Sequence, residues 1–80
     1  WRLATGNANI NDCNTGIVLV TTAGRIVGAN VQATHRLVAA TSANRGAYRT
    51  TMRAYRDRLW AIGAITTAQA NSLSTCINRF

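Results

Sequence analysis

The sequence predicts an α+β fold that is mainly helical: a short N-terminal β-hairpin, then two or three packed helices, tied by one disulfide. Three observations predict it. Tyr48, Met52, Tyr55, Leu59 and Ile62 recur at helical spacing and make one apolar stripe. Two apolar, largely β-branched runs, residues 17–20 and 26–27, flank a turn-forming Thr-Ala-Gly-Arg stretch. Cys13 and Cys76 are the only two cysteines, and they lie near opposite ends of the 80-residue chain. The length allows one domain, residues 1–80, and a chain this short usually needs a staple, a metal or a partner.

Residues 1–16 are rich in Asn, Thr and Gly and read as irregular structure built on side-chain turns. Cys13 would tie that segment down. Residues 17–27 carry the hairpin signal. Continuous apolarity over 17–20 implies burial on both faces, or on one face against a partner. A short buried helix is the alternative there, and it would make the fold all-α.

Asn30 reads as the N-cap of a helix over residues 31–43, broken by Asn44-Arg45-Gly46. The helix carrying the apolar stripe follows, with Gly63 placed to end it. Thr66-Thr67-Ala68-Gln69 has the form of a capping box. It opens a helix over about residues 66–78, with Leu73, Cys76, Ile77 and Phe80 on one face. The short link between these last helices predicts an antiparallel pair.

The cysteine pair reads as a disulfide closing most of the chain. Two cysteines and one histidine cannot complete a structural zinc site, so no metal is expected. A disulfide, with a chain that starts at Trp1 rather than Met, points to a processed protein of a secreted or extracellular setting, a periplasm included. No apolar run is long enough to span a bilayer.

The charge is lopsided. Nine arginines and no lysine stand against two acids, for a net charge of +7. Such a chain attracts phosphates, anionic lipids and acidic glycans. Arginine's planar fork suits carboxylate and phosphate. Arg45, Arg49, Arg53 and Arg56 form a ladder on one face of the third predicted segment. Cations at that spacing repel one another, and only Asp57, four residues beyond Arg53, is placed to relieve them. The ladder is therefore the candidate anion-binding site. Trp60 falls off the apolar stripe and is the candidate interfacial anchor, or else a cover for the hairpin. Tyr48 and Tyr55 lie on the stripe and read as core.

Catalysis finds little support. His35 is the lone histidine and no nucleophile-elbow motif accompanies it. Asp12 and Asp57 are the only carboxylates outside the chain terminus, which leaves a glycosidase pair without partners to spare. No glycine-rich phosphate loop is present, and no enzyme or cofactor is expected. The leading expectation is a small secreted cationic protein that binds an anionic lipid or cell-wall polymer, as an antimicrobial or killer-toxin-like effector. One alternative is an arginine-rich nucleic-acid-binding module. Another is an interaction subunit whose hairpin a protein partner completes.

One stretch, GIVLVTTAGRIVGANVQATHRL, resembles the opening of a PAS sensor domain. There a strand, a glycine turn, a second strand and an Asn precede a helix. The matching residues are Gly16, Ile17, Val18, Val20, Gly24, Arg25, Ile26, Val27, Asn30 and Leu37. The resemblance covers about a quarter of the chain. It implies strand, turn, strand and helix in that order. The later strands of that fold have no counterpart here, so no ligand or partner is carried over.

Overall fold

The computed structural model describes residues 6–21 and 23–80. Its elements run β1 (Asn7–Ile10), β2 (Cys13–Val18), α1 (Val27–Thr41), α2 (Arg45–Ala61) and α3 (Thr67–Ile77). A two-stranded antiparallel hairpin is thus followed by three helices, the α+β arrangement expected from the sequence.

The hairpin, however, is not where the apolar runs place it. It occupies the Asn- and Thr-rich stretch that reads as irregular, and residues 19–21 and 23–26 form its exit. Asn11 and Asp12 both sit at positive φ, 52° and 58°. They make the two-residue turn whose twist matches paired strands, and Asn and Asp tolerate that conformation best after glycine. Around the turn, Ala8, Ile10, Cys13, Thr15 and Ile17 are buried, while their neighbours Asn9, Asn14, Gly16 and Val18 point outward. That period of two is the strand signal. Ile17 belongs to it, but Ile26 is exposed and Val27 is already helical. Among the described residues of this segment the second strand implied by the PAS-like stretch is therefore absent, and only the order of a strand before a helix remains of that likeness.

The ladder is irregular at its open end. Asn9 pairs with Asn14 and Ile10 with Cys13, but Asn7 pairs with Val18. The extra residues on β2 are accommodated by Gly16 at φ 72°. Buried Thr15 fills the bulge, its hydroxyl donating to the Ala8 carbonyl at 2.8 Å and accepting from the Ile17 N–H at 3.3 Å.

Helix α1 starts three residues ahead of Asn30, so Asn30 is not its cap. Ile26 stands at the N-cap position and offers no side-chain bond. The end of the hairpin does the capping instead: the Ala29 N–H donates to the Leu19 carbonyl at 3.2 Å. Gln32 accepts from the Asn9 N–H at 2.9 Å, covering part of the β1 edge.

Helix α2 is capped by Asn44, which accepts from the Ala47 N–H at 2.9 Å. Tyr48, Met52 and Leu59 of the stripe are buried and Tyr55 is half-buried. Ile62 is the exception: it lies past the last turn and is 70 % exposed. Gly63 at φ 76° ends the helix as expected, with the Ala64 N–H returning to the Leu59 carbonyl. An Asn44→Ala variant should lose about 1 kcal/mol in urea denaturation, because the Ala47 N–H at the α2 start then depends on water.

Helix α3 opens on the expected capping box, Thr66 and Gln69 each receiving from the other's backbone N–H. Side-chain bonds place α3 antiparallel to α2. Trp60 reaches Thr67, Arg56 reaches Ser74, and Arg49 and Arg53 reach Asn78. The Cys13–Cys76 disulfide joins β2 to the end of α3 across 63 residues of sequence. Beside it the Asn11 amide donates to the Cys76 carbonyl at 3.0 Å. One core results, in which Ile10 and Ile17 from the hairpin meet Val31, Tyr48, Met52, Leu73 and Ile77. Among the described residues no helix is long and apolar enough to cross a membrane.

Candidate anion-binding face

The repeat of α2 places Tyr48, Met52 and Leu59 inward, so the arginines three and four residues apart fall together on another side. That side borders α3. Arg49 Nη2 donates to the Asn78 carbonyl at 3.1 Å, and Arg53 Nη2 to Asn78 Oδ1 at 3.0 Å. Arg56 donates from Nη1 to Ser74 Oγ, and from Nε and Nη2 to Asp57 Oδ1 at 2.9 and 2.6 Å. Three rungs of the ladder thus meet the second half of α3, whose free carbonyls favour a nearby cation.

Little of the charge is cancelled by this. Carbonyl, amide and hydroxyl partners carry no net charge. The one ion pair among the described residues is Arg56–Asp57. It differs from the i, i+4 relief of Arg53 by Asp57 that spacing suggests, because Arg53 is drawn to Asn78 instead. Arg45 and Arg53 are exposed and Arg49 and Arg56 half-buried. Arg49 Nε is buried without a hydrogen-bond partner among the described residues. The face therefore consists of Arg45, exposed at the start of the helix, and three groups held against α3, of which Arg53 is also exposed.

Trp60 stands one turn beyond Arg56 and is 55 % exposed. Its indole N–H donates to Thr67 Oγ1 at 3.2 Å, which fixes the ring against α3 rather than over the hairpin. Between the two helices lies a groove of about 230 Å³ lined by Arg56, Asp57, Trp60, Thr67, Ala70, Asn71 and Ser74. Sequence spacing identifies Trp60 and Arg56 singly, but not the groove. Its α3 wall depends on the register of the helix pair.

A second polar cluster escapes sequence reasoning altogether. His35 Nδ1 lies 2.6 Å from Tyr48 Oη, which accepts from the Asn11 amide at 3.2 Å. With the imidazole proton on Nε2, Tyr48 donates to His35 Nδ1; in the other tautomer His35 donates to Tyr48 instead. Phe80 stacks on Tyr48 at a centroid distance of 3.9 Å, and His35 meets both rings edge-on. Hairpin turn, α1, α2 and the C-terminal residue converge here, with no local signature in any of them. Burial, and secondarily the Arg36 charge, push the His35 pKa below its usual value. Burial pushes the Tyr48 pKa up, against the Asn11 hydrogen bond.

The sign of the linkage follows. A histidine whose folded pKa is depressed binds a proton more weakly folded than unfolded. Stability is then full above the unfolded value near 6.5 and falls as pH drops from there toward the folded value. Thermal midpoints should decline between pH 7 and pH 5, and a His35→Gln variant should flatten that decline. An unchanged slope in the variant would assign the effect elsewhere.

Among the described residues no group of three His, Cys, Asp or Glu side chains lies together to hold a metal ion. No family model, no curated protein and no solved structure matches this chain.

Proposed function

We propose that this chain is a small secreted cationic protein that docks on an anionic cell surface, a phosphate-bearing lipid or wall polymer, and acts as an antimicrobial or killer-toxin-like effector. The observation that carries the reading is the α2 arginine face. Four guanidinium groups share one side of one helix, and a single carboxylate answers them. Arg45 and Arg53 make first contact, since they project into solvent. Arg49 adds charge from a rigid position, which spares side-chain entropy on binding, while Arg56 is largely answered by Asp57. The disulfide suits an oxidising, extracellular setting.

The aromatic geometry weighs against nucleic acid. Base stacking on successive rings needs several exposed aromatics among the arginines, yet Tyr48 is buried and Tyr55 half-buried, which leaves Trp60 alone among the described residues. A partner-completed strand is also less attractive, because the residues expected to form the open hairpin are mostly loop and helix.

Binding to anionic vesicles, zwitterionic vesicles, a phosphate-bearing wall polymer and duplex DNA in rising salt tests the reading. Binding should follow negative charge and weaken steeply with salt. An Arg45→Gln, Arg53→Gln double variant should lose about 30-fold on anionic vesicles at low salt, at about 1 kcal/mol per arginine. Equal binding to both kinds of vesicle together with indifference to the polymer would dismiss the proposal. Preference for DNA would move it to the nucleic-acid alternative.

A further inference from the structure

We propose that the groove between α2 and α3 is a saccharide subsite that holds one pyranose ring against Trp60. The inference deepens the proposed function, on which the choice of a surface glycan rests.

The groove lies on the basic side of the molecule but is itself nearly neutral. Arg56 spends Nε and Nη2 on Asp57 and Nη1 on Ser74. It has little left for a phosphate. Asp57 is one of two acidic side chains in the chain, and its side chain is 67 % exposed. Both of its bonds fall on Oδ1, so Oδ2 has no partner among the described residues. A carboxylate with a free oxygen repels anions and accepts hydrogen bonds from hydroxyls. The Asn71 side chain, exposed on the α3 wall, can both donate and accept.

A sugar ring has complementary needs. Its C–H face seeks a flat, polarisable surface, and its edge carries hydroxyls that donate and accept. Trp60 offers the surface, already oriented by its bond to Thr67, so little freedom is lost on binding. The volume, about 230 Å³, is under the range of about 300–1,000 Å³ of drug-sized sites and suits a single ring. A lipid role for Trp60 fits less well, because sinking it into an interface would desolvate Asp57 and Asn71 beside it. Arg53, the next rung, is placed to meet an acidic substituent on a neighbouring sugar.

The test follows the Trp60 indole N–H by NMR, assigned by its absence in Trp60→Phe. Neutral tetrasaccharides of glucose, mannose and N-acetylglucosamine, and an acidic oligogalacturonate, are titrated at high salt up to their solubility. At least one should move the resonance saturably. Trp60→Ala should weaken that binding about tenfold or more. Asp57→Asn should weaken it too, while strengthening salt-sensitive binding to anionic vesicles by freeing Arg56. These opposite signs separate the two readings. Saccharide binding without vesicle or wall-polymer binding would overturn the proposed function and leave the subsite standing. A silent Trp60 resonance with every saccharide, or saccharide binding indifferent to both variants, would overturn the subsite. Loss of vesicle binding in Trp60→Ala without any saccharide effect would make Trp60 a lipid anchor instead.

Discussion

Replacing Cys13 and Cys76 together with serine is expected to lower stability by about 4 kcal/mol, from the loss of a cross-link that spans 63 residues. A domain of this length has about 4–12 kcal/mol in total, so the variant stands near the edge of folding at room temperature. The thermal midpoint should fall by roughly 15–30 °C. The size of the effect has a local cause as well as a chain-entropy one. A two-stranded hairpin is marginal alone, and its inner face, Ile10, Cys13 and Ile17, is buried only where it meets the helices. The bond ties that face to the end of α3, where Cys76 and Ile77 are fully buried in the core. After its loss, the Asn11 amide on the Cys76 carbonyl and the Gln69 amide on the Gly16 carbonyl are the neighbouring polar ties. Calorimetry of the oxidised protein, the reduced protein and the double serine variant measures the effect. A midpoint that moves by only a few degrees would mean that the helices hold the hairpin without it.

Helices α2 and α3 are legible in the sequence because local rules and tertiary packing agree there. The stripe of Tyr48, Met52 and Leu59 is the buried face, Gly63 is the stop, and Thr66 with Gln69 is the start. Cysteine count and the size of the chain point to the disulfide without reference to any contact. The hairpin is hard to read for a physical reason. Apart from Val18, its outward positions are Asn and Gly, its inward positions include Ala8 and Thr15, and its turn is Asn-Asp rather than Asn-Gly. The strong β-branched run beyond it draws attention instead, yet Val18 ends β2 on the exposed side and Ile26 precedes a helix. The start of α1 misleads for a similar reason: its cap is a carbonyl from Leu19, and backbone leaves no trace in side-chain pattern.

The candidate site divides the same way. Spacing on one helix is sufficient to gather Arg45, Arg49, Arg53 and Arg56 and to set Trp60 apart from the core. What each of them touches is decided by α3, through Ser74, Thr67 and Asn78, and no single-helix argument reaches those residues. The pairing of Asp57 with Arg56 rather than Arg53 is the clearest instance. Helical spacing favours Arg53, but Asn78 competes for it from the neighbouring helix.

Gly28→Ala should cost about 2–3 kcal/mol, although the same change inside most helices is favourable by about 1 kcal/mol. Gly28 lies in the first turn of α1, where that helix crosses the end of β2. A Cβ there would stand 2.3 Å from the Val18 carbonyl oxygen, 2.7 Å from its carbon and 2.8 Å from the Ile17 oxygen. These are backbone atoms of a paired strand and cannot rotate away as a side chain could. Relief requires lifting the start of α1 from the hairpin. That movement stretches the Ala29–Leu19 bond which caps the helix and the Gln32 contact to Asn9. Gly46 supplies the control, since it too lies in the first turn of a helix. A Cβ at Gly46 would approach only the Asn44 side-chain oxygen, at 3.2 Å, and Gly46→Ala should be neutral within about 1 kcal/mol. Denaturant unfolding of the two variants side by side decides the matter. If both behave alike, α1 does not lie on the hairpin as described. If only Gly28→Ala is weakened, and vesicle binding by the folded fraction is unchanged, then the glycine serves the joint between hairpin and helices, and the proposed surface contact does not depend on that joint.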